Sequence, residues 1–318
     1  MADRPEPARH RRAADLSTAE LLADIDAAAN PAAAEVLARY FQLQPGCYGD
    51  GDVMIGVKLS AIRVLLKPYL RADLPLAELE QALKSPIHEH RLAILCLLAD
   101  RAARSLKPRT ANPAELAAIY ELYLRSTAYI NNWDLVDCSA SEIVGGYLLD
   151  KPRDDLYTLI RSSSLWERRI AMVATHLLIM AGQSADTYAL AALVLDDRED
   201  LIHKASGWML REAGKRVSEQ ELLAFLDEHA PVMPRTMLRY AIALRPGSPQ
   251  ALPRPALTVR FVDLSLEGSG SAAVGVRRGL EGAMGVVVDQ DRVFHGLLPR
   301  PVAQRDPRQR CADHRKYG

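Results

Sequence analysis

Trp133 and Asp137 lie four residues apart, just after Asn131 and Asn132, whose side-chain oxygens suit the start of a helix. On a helix that spacing stacks an indole and a carboxylate on one face. Indole carries much apolar area and a carboxylate resists desolvation, so the pair is costly to bring together without a ligand. The ligand that suits both is a cation. Two further stretches hold the other tryptophans, Leu165-Trp166-Glu167-Arg168-Arg169 and Lys204-Ala205-Ser206-Gly207-Trp208-Met209-Leu210-Arg211-Glu212. Arg169 offers a guanidinium fork that matches phosphate oxygens. Arg168 and Arg211 read equally as groove cations and as ordinary solvated charges.

Each residue has a plainer explanation. A tryptophan near the start of a helix is more often core than contact surface, and the case for Trp133 and Trp208 rests on the partnership with Asp137 and on recurrence in equivalent helices. Trp166 reads as packing between helices. Asp134 suits the positive end of its own helix, whereas Asp137, a turn later, is explained less well that way. The triplet His88-Glu89-His90 invites a metal, but alternate positions on a helix do not share a face, and no other His or Cys lies nearby in the chain.

The elements that must position these residues are helical throughout. Ser17 and Glu20 form a capping-box pattern ahead of 18–29, Pro31 opens 31–42, and later helices are expected over 60–69, 75–83, 88–103, 113–124 and 133–149. The pattern continues over 153–160, 165–180, 185–194, 200–214, 219–228 and 234–244, with no strand period. Second helices of successive pairs begin near 87, 133, 165 and 200, close to the HEAT or armadillo repeat length of roughly 40. The expected fold is therefore an all-α solenoid whose inner helices line a concave groove. The tryptophans, Asp137 and Arg169 should converge at one level of it.

The chain has 318 residues, 49% of them hydrophobic, with a formal net charge of zero, so any nucleic-acid affinity must come from a local patch. No apolar run reaches the roughly 20 residues of a membrane span, and a cytoplasmic monomer is expected. Cys47, Cys96, Cys138 and Cys311 are scattered without a C-x-x-C pair and read as reduced thiols. Residues 1–16 read as a disordered basic arm, 17–245 as the helical domain, and 246–318 as a Pro/Gly/Arg-rich tail of low order.

The stretches Asn132-Trp133-Asp134-Leu135-Val136-Asp137, Trp166 to Arg169 and Lys204 to Glu212, with Gly51-Asp52-Val53-Met54-Ile55-Gly56-Val57-Lys58 upstream, resemble the AlkD-like DNA alkylation repair glycosylases over roughly 17–245. The resemblance implies Asp137 as the catalytic carboxylate, Trp133 and Trp208 as the indoles flanking the sugar, and Arg169 as a DNA-backbone ligand. It also places Tyr40 near the lesion and Lys58 in the N-terminal signature, where some relatives carry Gln. Its implied substrate is duplex DNA containing N3- or N7-alkylated purines. Such a base is already cationic, so it leaves without a general acid and no metal or cofactor is expected; one carboxylate can stabilise the sugar cation and place water. Two other functions fit the same residues: a noncatalytic binder of damaged or branched DNA, and a protein-interaction scaffold.

Overall fold

The computed structural model describes residues 16–243, all helical apart from turns and one isolated parallel bridge, Val53 to Ile87. Local rules set most helix starts. In α1 (Thr18–Ala27) Ser17 accepts from the Glu20 backbone N–H while the Glu20 carboxylate accepts from the Ser17 N–H. Asn30 caps α2 (Pro31–Tyr40), Asn112 caps α6 (Pro113–Arg125), and each has proline in the first turn, where no backbone donor is missed.

Between these lie α3 (Leu59–Leu66), α4 (Leu76–Ala82) and α5 (His88–Ser105). Further on come α7 (Trp133–Asp137), α8 (Asp154–Leu159), α9 (Leu165–Met180), α10 (Ala185–Leu193), α11 (Asp200–Arg216), α12 (Glu219–His229) and α13 (Arg235–Ala241). The row α5, α7, α9, α11 packs in chain order, with α6 against α5, α8 against α9, and α12 and α13 against α11. Leu95, Ile143, Val173 and Leu210 are among the fully or almost fully buried residues of the continuous apolar core. This is the expected helical-repeat architecture, and no helix among the described residues is long and apolar enough to cross a membrane.

Two expectations change. The long helix over 133–149 is broken: α7 stops at Asp137, Cys138 and Ser139 turn, and Ser141–Gly145 is a π-helix. Ser139 Oγ donates to the Leu135 carbonyl at 2.6 Å, competing with the helical ladder. A Cβ on Gly145 would fall 2.2 Å from the Ala174 carbonyl oxygen, so the widened turn lies directly against the α9 backbone. Second, Leu16, assigned to the arm, is buried with the core. Cys96 and Cys138 are free thiols; Cys311 lies outside the described residues. The rest of the arm and the tail 246–318 lie outside the described residues.

The loop after α2 is sewn down by polar contacts. Asn30 N–H donates to the Ile55 carbonyl at 2.8 Å, and the His88 N–H to the Val53 carbonyl at 2.8 Å. Glu89 accepts from the backbone N–H groups of Ile55, Gly56 and Val57, at 2.7 Å from Gly56. Gly56 has φ +89°, and a Cβ there would sit 2.1 Å from the Asn30 oxygen. Only glycine fits that crossing.

Candidate active site

Asp137 is the last residue of α7 and is 5% exposed. Arg169, one turn into α9 and 4% exposed, grips it with both arms of its fork, Nε to Oδ1 at 2.9 Å and Nη2 to Oδ2 at 2.8 Å. The third arm, Nη1, donates to the Leu201 carbonyl at the start of α11, at 2.6 Å. One guanidinium therefore ties α7, α9 and α11 together at the carboxylate. Burial pushes the Asp137 carboxyl above the usual carboxylate range, and the charge and hydrogen bonds of Arg169 oppose that shift. A bidentate partner leaves each carboxylate oxygen a lone pair for a further ligand. The sequence expects Arg169 to meet the DNA backbone; in the structure three of its five N–H donors are engaged inside the protein, two of them on Asp137.

Trp133 starts α7, where the Asn132 Oδ1 accepts from its N–H at 2.9 Å. Phe41, immediately after α2, stacks on the indole with centroids 5.0 Å apart and planes 12° from parallel. Tyr40, 46% exposed, meets the same indole edge-on at 5.8 Å. Tyr48 lies beside Trp133 and packs edge-on to Trp166 at 5.9 Å, with its phenol pushed up to about 12 chiefly by burial. An aromatic wall thus runs Tyr40, Phe41, Trp133, Tyr48, Trp166. Trp166 joins it, beyond the packing role expected. Phe41 and Tyr48 were missed; the only signal for them was the aromatic pair Tyr40-Phe41 ahead of a Gly- and Asp-rich loop.

Trp208 has a different neighbour. Its ring lies 6.1 Å from that of His176, which is seven residues beyond Arg169, as Trp208 is beyond Leu201. Seven residues make about two turns, or roughly 10 Å along the helices. The His176 imidazole is held below its ordinary pKa by burial and is neutral at pH 7. Gly207, just before Trp208, lets α13 close on α11, since a Cβ there would meet the Met237 oxygen at 2.4 Å.

The other expected DNA contacts divide. Lys58 is exposed at the start of α3. Arg168 is bound to Asp197, at 2.7 and 3.3 Å, and to the carbonyls of Ser162 and Ser163. Arg211 lies 3.4 Å from Glu212. Neither is a free groove cation.

The triplet His88-Glu89-His90 resolves into three clasps pointing three ways, as alternate helical positions require. Glu89 holds the 55–57 backbone, and His90 Nε2 meets Asp26 at 2.8 Å with Nδ1 on Ser85 Oγ at 3.0 Å. His88 lies between two carboxylates, Asp52 at 2.9 Å and Asp134 at 2.8 Å. Arg91 and Asn131 close the cluster around Asp52, Asn131 donating to it at 3.0 Å.

The fold and site define a helical-repeat protein whose buried carboxylate–guanidinium pair adjoins an aromatic wall. A family model described as DNA alkylation repair enzyme matches residues 21–244, and the chain belongs to that family. A solved structure, "Predicted DNA alkylation repair enzyme from Enterococcus faecalis", is similar in fold at 19% identity and a TM-score of 0.50, over 67% of this chain and 94% of that one. No curated protein matches the chain.

Proposed function

We propose that this protein is a DNA glycosylase that releases positively charged N3- or N7-alkylated purines from duplex DNA. Membership of a DNA alkylation repair enzyme family supports the repair role, and the geometry of Asp137 supports the chemistry. The single observation that carries the reading is a buried carboxylate, fixed by a bidentate guanidinium, next to the electron-rich wall around Trp133.

A cationic purine is its own leaving group. Cleavage of the glycosidic bond passes its electrons to the departing base and leaves positive charge on the sugar. Asp137 opposes that charge and orients the water that attacks C1′, and its burial keeps bulk water from diluting the field. Trp133 and Tyr40 favour the cation by cation–π attraction of about 0.5–2 kcal/mol each. On the resemblance Trp208 is the second indole flanking the sugar, and the exposed Lys58 meets a phosphate.

Release of N7-methylguanine from methylated duplex, by wild type and by Asp137→Asn with chelator present, tests the reading. Wild-type release that falls by about 10³-fold in the variant, with duplex affinity within threefold, is the expected result. An Asp137–Arg169 pair that only braces the helices is the competing reading; it predicts no release by wild type and a lower Tm in the variant.

A further inference from the structure

We propose that His88 is a positioning residue for this site: as an imidazolium it bridges Asp52 to Asp134, holding the loop that carries Tyr48 against the helix that carries Trp133 and Asp137. The inference rests on the glycosylase reading for its activity readout and on geometry for its structural one.

Both ring nitrogens of His88 face carboxylate oxygens, Nδ1 to Asp52 at 2.9 Å and Nε2 to Asp134 at 2.8 Å. A carboxylate only accepts, so both nitrogens must donate, and only the doubly protonated ring can do so. Burial alone would lower its pKa, but the charge of Asp134 and the hydrogen bonds to both carboxylates raise it to about 9. Arg91 and Asn131 also face Asp52, so the charged groups around the ring are Asp52, Asp134 and Arg91. The side chains of His88, Asp52 and Asp134 are almost fully enclosed.

The bridge adds a charged tie to the contacts that already hold this loop, Glu89 on the 55–57 backbone and Arg91 and Asn131 on Asp52. Helix α2 has no buried residue, yet Phe41 at its end stacks on Trp133 and lies 5.3 Å from the His88 ring. The order His88, Phe41, Trp133 is therefore a column with the imidazolium at its base. Asp52 pins the far end of the same loop, and Tyr48 between them lies beside Trp133 and packs edge-on to Trp166. Asp134 is three residues before Asp137, so the pull on α7 is transmitted within one turn of the carboxylate. Loss of the imidazolium leaves two buried carboxylates facing one another across the gap, and the loop moves away from α7.

The test uses the full chain and His88→Gln, with Asp52→Asn cutting the same bridge from the loop side. Single-turnover release of N7-methylguanine from methylated duplex is expected to fall by about 10- to 100-fold in both, because small misplacement of a catalytic group is costly in rate. Duplex affinity stays within threefold. Emission of Trp133, read in a Trp166→Phe/Trp208→Phe background, is expected to shift with a midpoint near pH 9 and to lose that transition in His88→Gln. Folded variants that keep both the wild-type rate and the transition overturn the inference while leaving the glycosylase reading intact. No release by wild type sinks the glycosylase reading, and the emission titration then decides the bridge alone. If His88→Gln unfolds, Asp52→Asn decides: retained rate and emission overturn the proposal, and loss of both supports it.

Discussion

Arg169 shows how one side chain can set the chemistry of another. Its fork occupies Asp137 while its remaining arm holds the Leu201 carbonyl, so removing it leaves a buried carboxylate without its counter-charge. Arg169→Gln is expected to lower stability by about 3–5 kcal/mol in urea denaturation, the usual cost of breaking a buried pair from one side. It should also change the pH profile. Burial already raises the Asp137 pKa and Arg169 opposes that, so the variant's carboxyl moves further up. The proposed reaction needs the ionised form, so activity should be lost as pH falls through this pKa. The acid limb of base release should therefore shift to higher pH in Arg169→Gln, with a greater loss at pH 6 than at pH 8. An unmoved limb would mean that Asp137 is not the titrating group.

At the scale of elements, the site depends on places where backbones cross closely. Gly56 combines φ +89° with a Cβ position 2.1 Å from the Asn30 oxygen, and its N–H is one of three held by Glu89. Gly56→Ala strains the backbone and forces the loop from α2, and a stability loss of roughly 2–4 kcal/mol by thermal or urea unfolding is expected. The π-helix after Asp137 carries Glu142, whose pKa burial raises to about 7. A raised carboxyl costs stability once pH exceeds the unfolded value, and the cost grows until pH passes the folded one. Glu142→Gln should therefore stabilise the protein by about 1–2 kcal/mol more at pH 8 than at pH 5, read from paired denaturation curves. Equal differences at the two pH values would show that the carboxyl is not desolvated.

For the whole molecule, the His88 bridge and the charge balance set behaviour with pH and salt. The His88 pKa is raised from 6.5 to about 9, so its contribution is complete below pH 6.5 and is lost as pH rises towards 9. Wild type should lose about 2–4 kcal/mol over that window relative to His88→Gln, whose curve lacks the term. Duplex affinity should fall with salt by a slope of roughly −0.9 per phosphate contacted. Because Arg168, Arg169 and Arg211 all face carboxylates, that slope should be shallow, between about −2 and −5. A flat response would remove DNA as the ligand.

Helix starts such as Ser17, Pro31 and Asn132 were legible in the sequence because capping uses residues a few positions apart, and the repeat spacing follows from the same local periodicity. The partnership of Trp133 with Asp137 was legible for the same reason. The break at Cys138 was hidden, because it depends on the close approach of α9 to Gly145. The partner of Arg169, the stacking of Phe41 on Trp133, and the grip of His88 on Asp52 and Asp134 were hidden too, since those pairs are separated by 32, 92, 36 and 46 residues. Local hydrogen bonding and hydrophobic period are written in short stretches of chain, so the sequence by itself determined an all-α repeat protein and put its candidate residues Trp133, Asp137, Arg169 and Trp208 on α7, α9 and α11. Which charge meets which carboxylate depends on how the helices pack and on what water is excluded, and only the tertiary structure decided that.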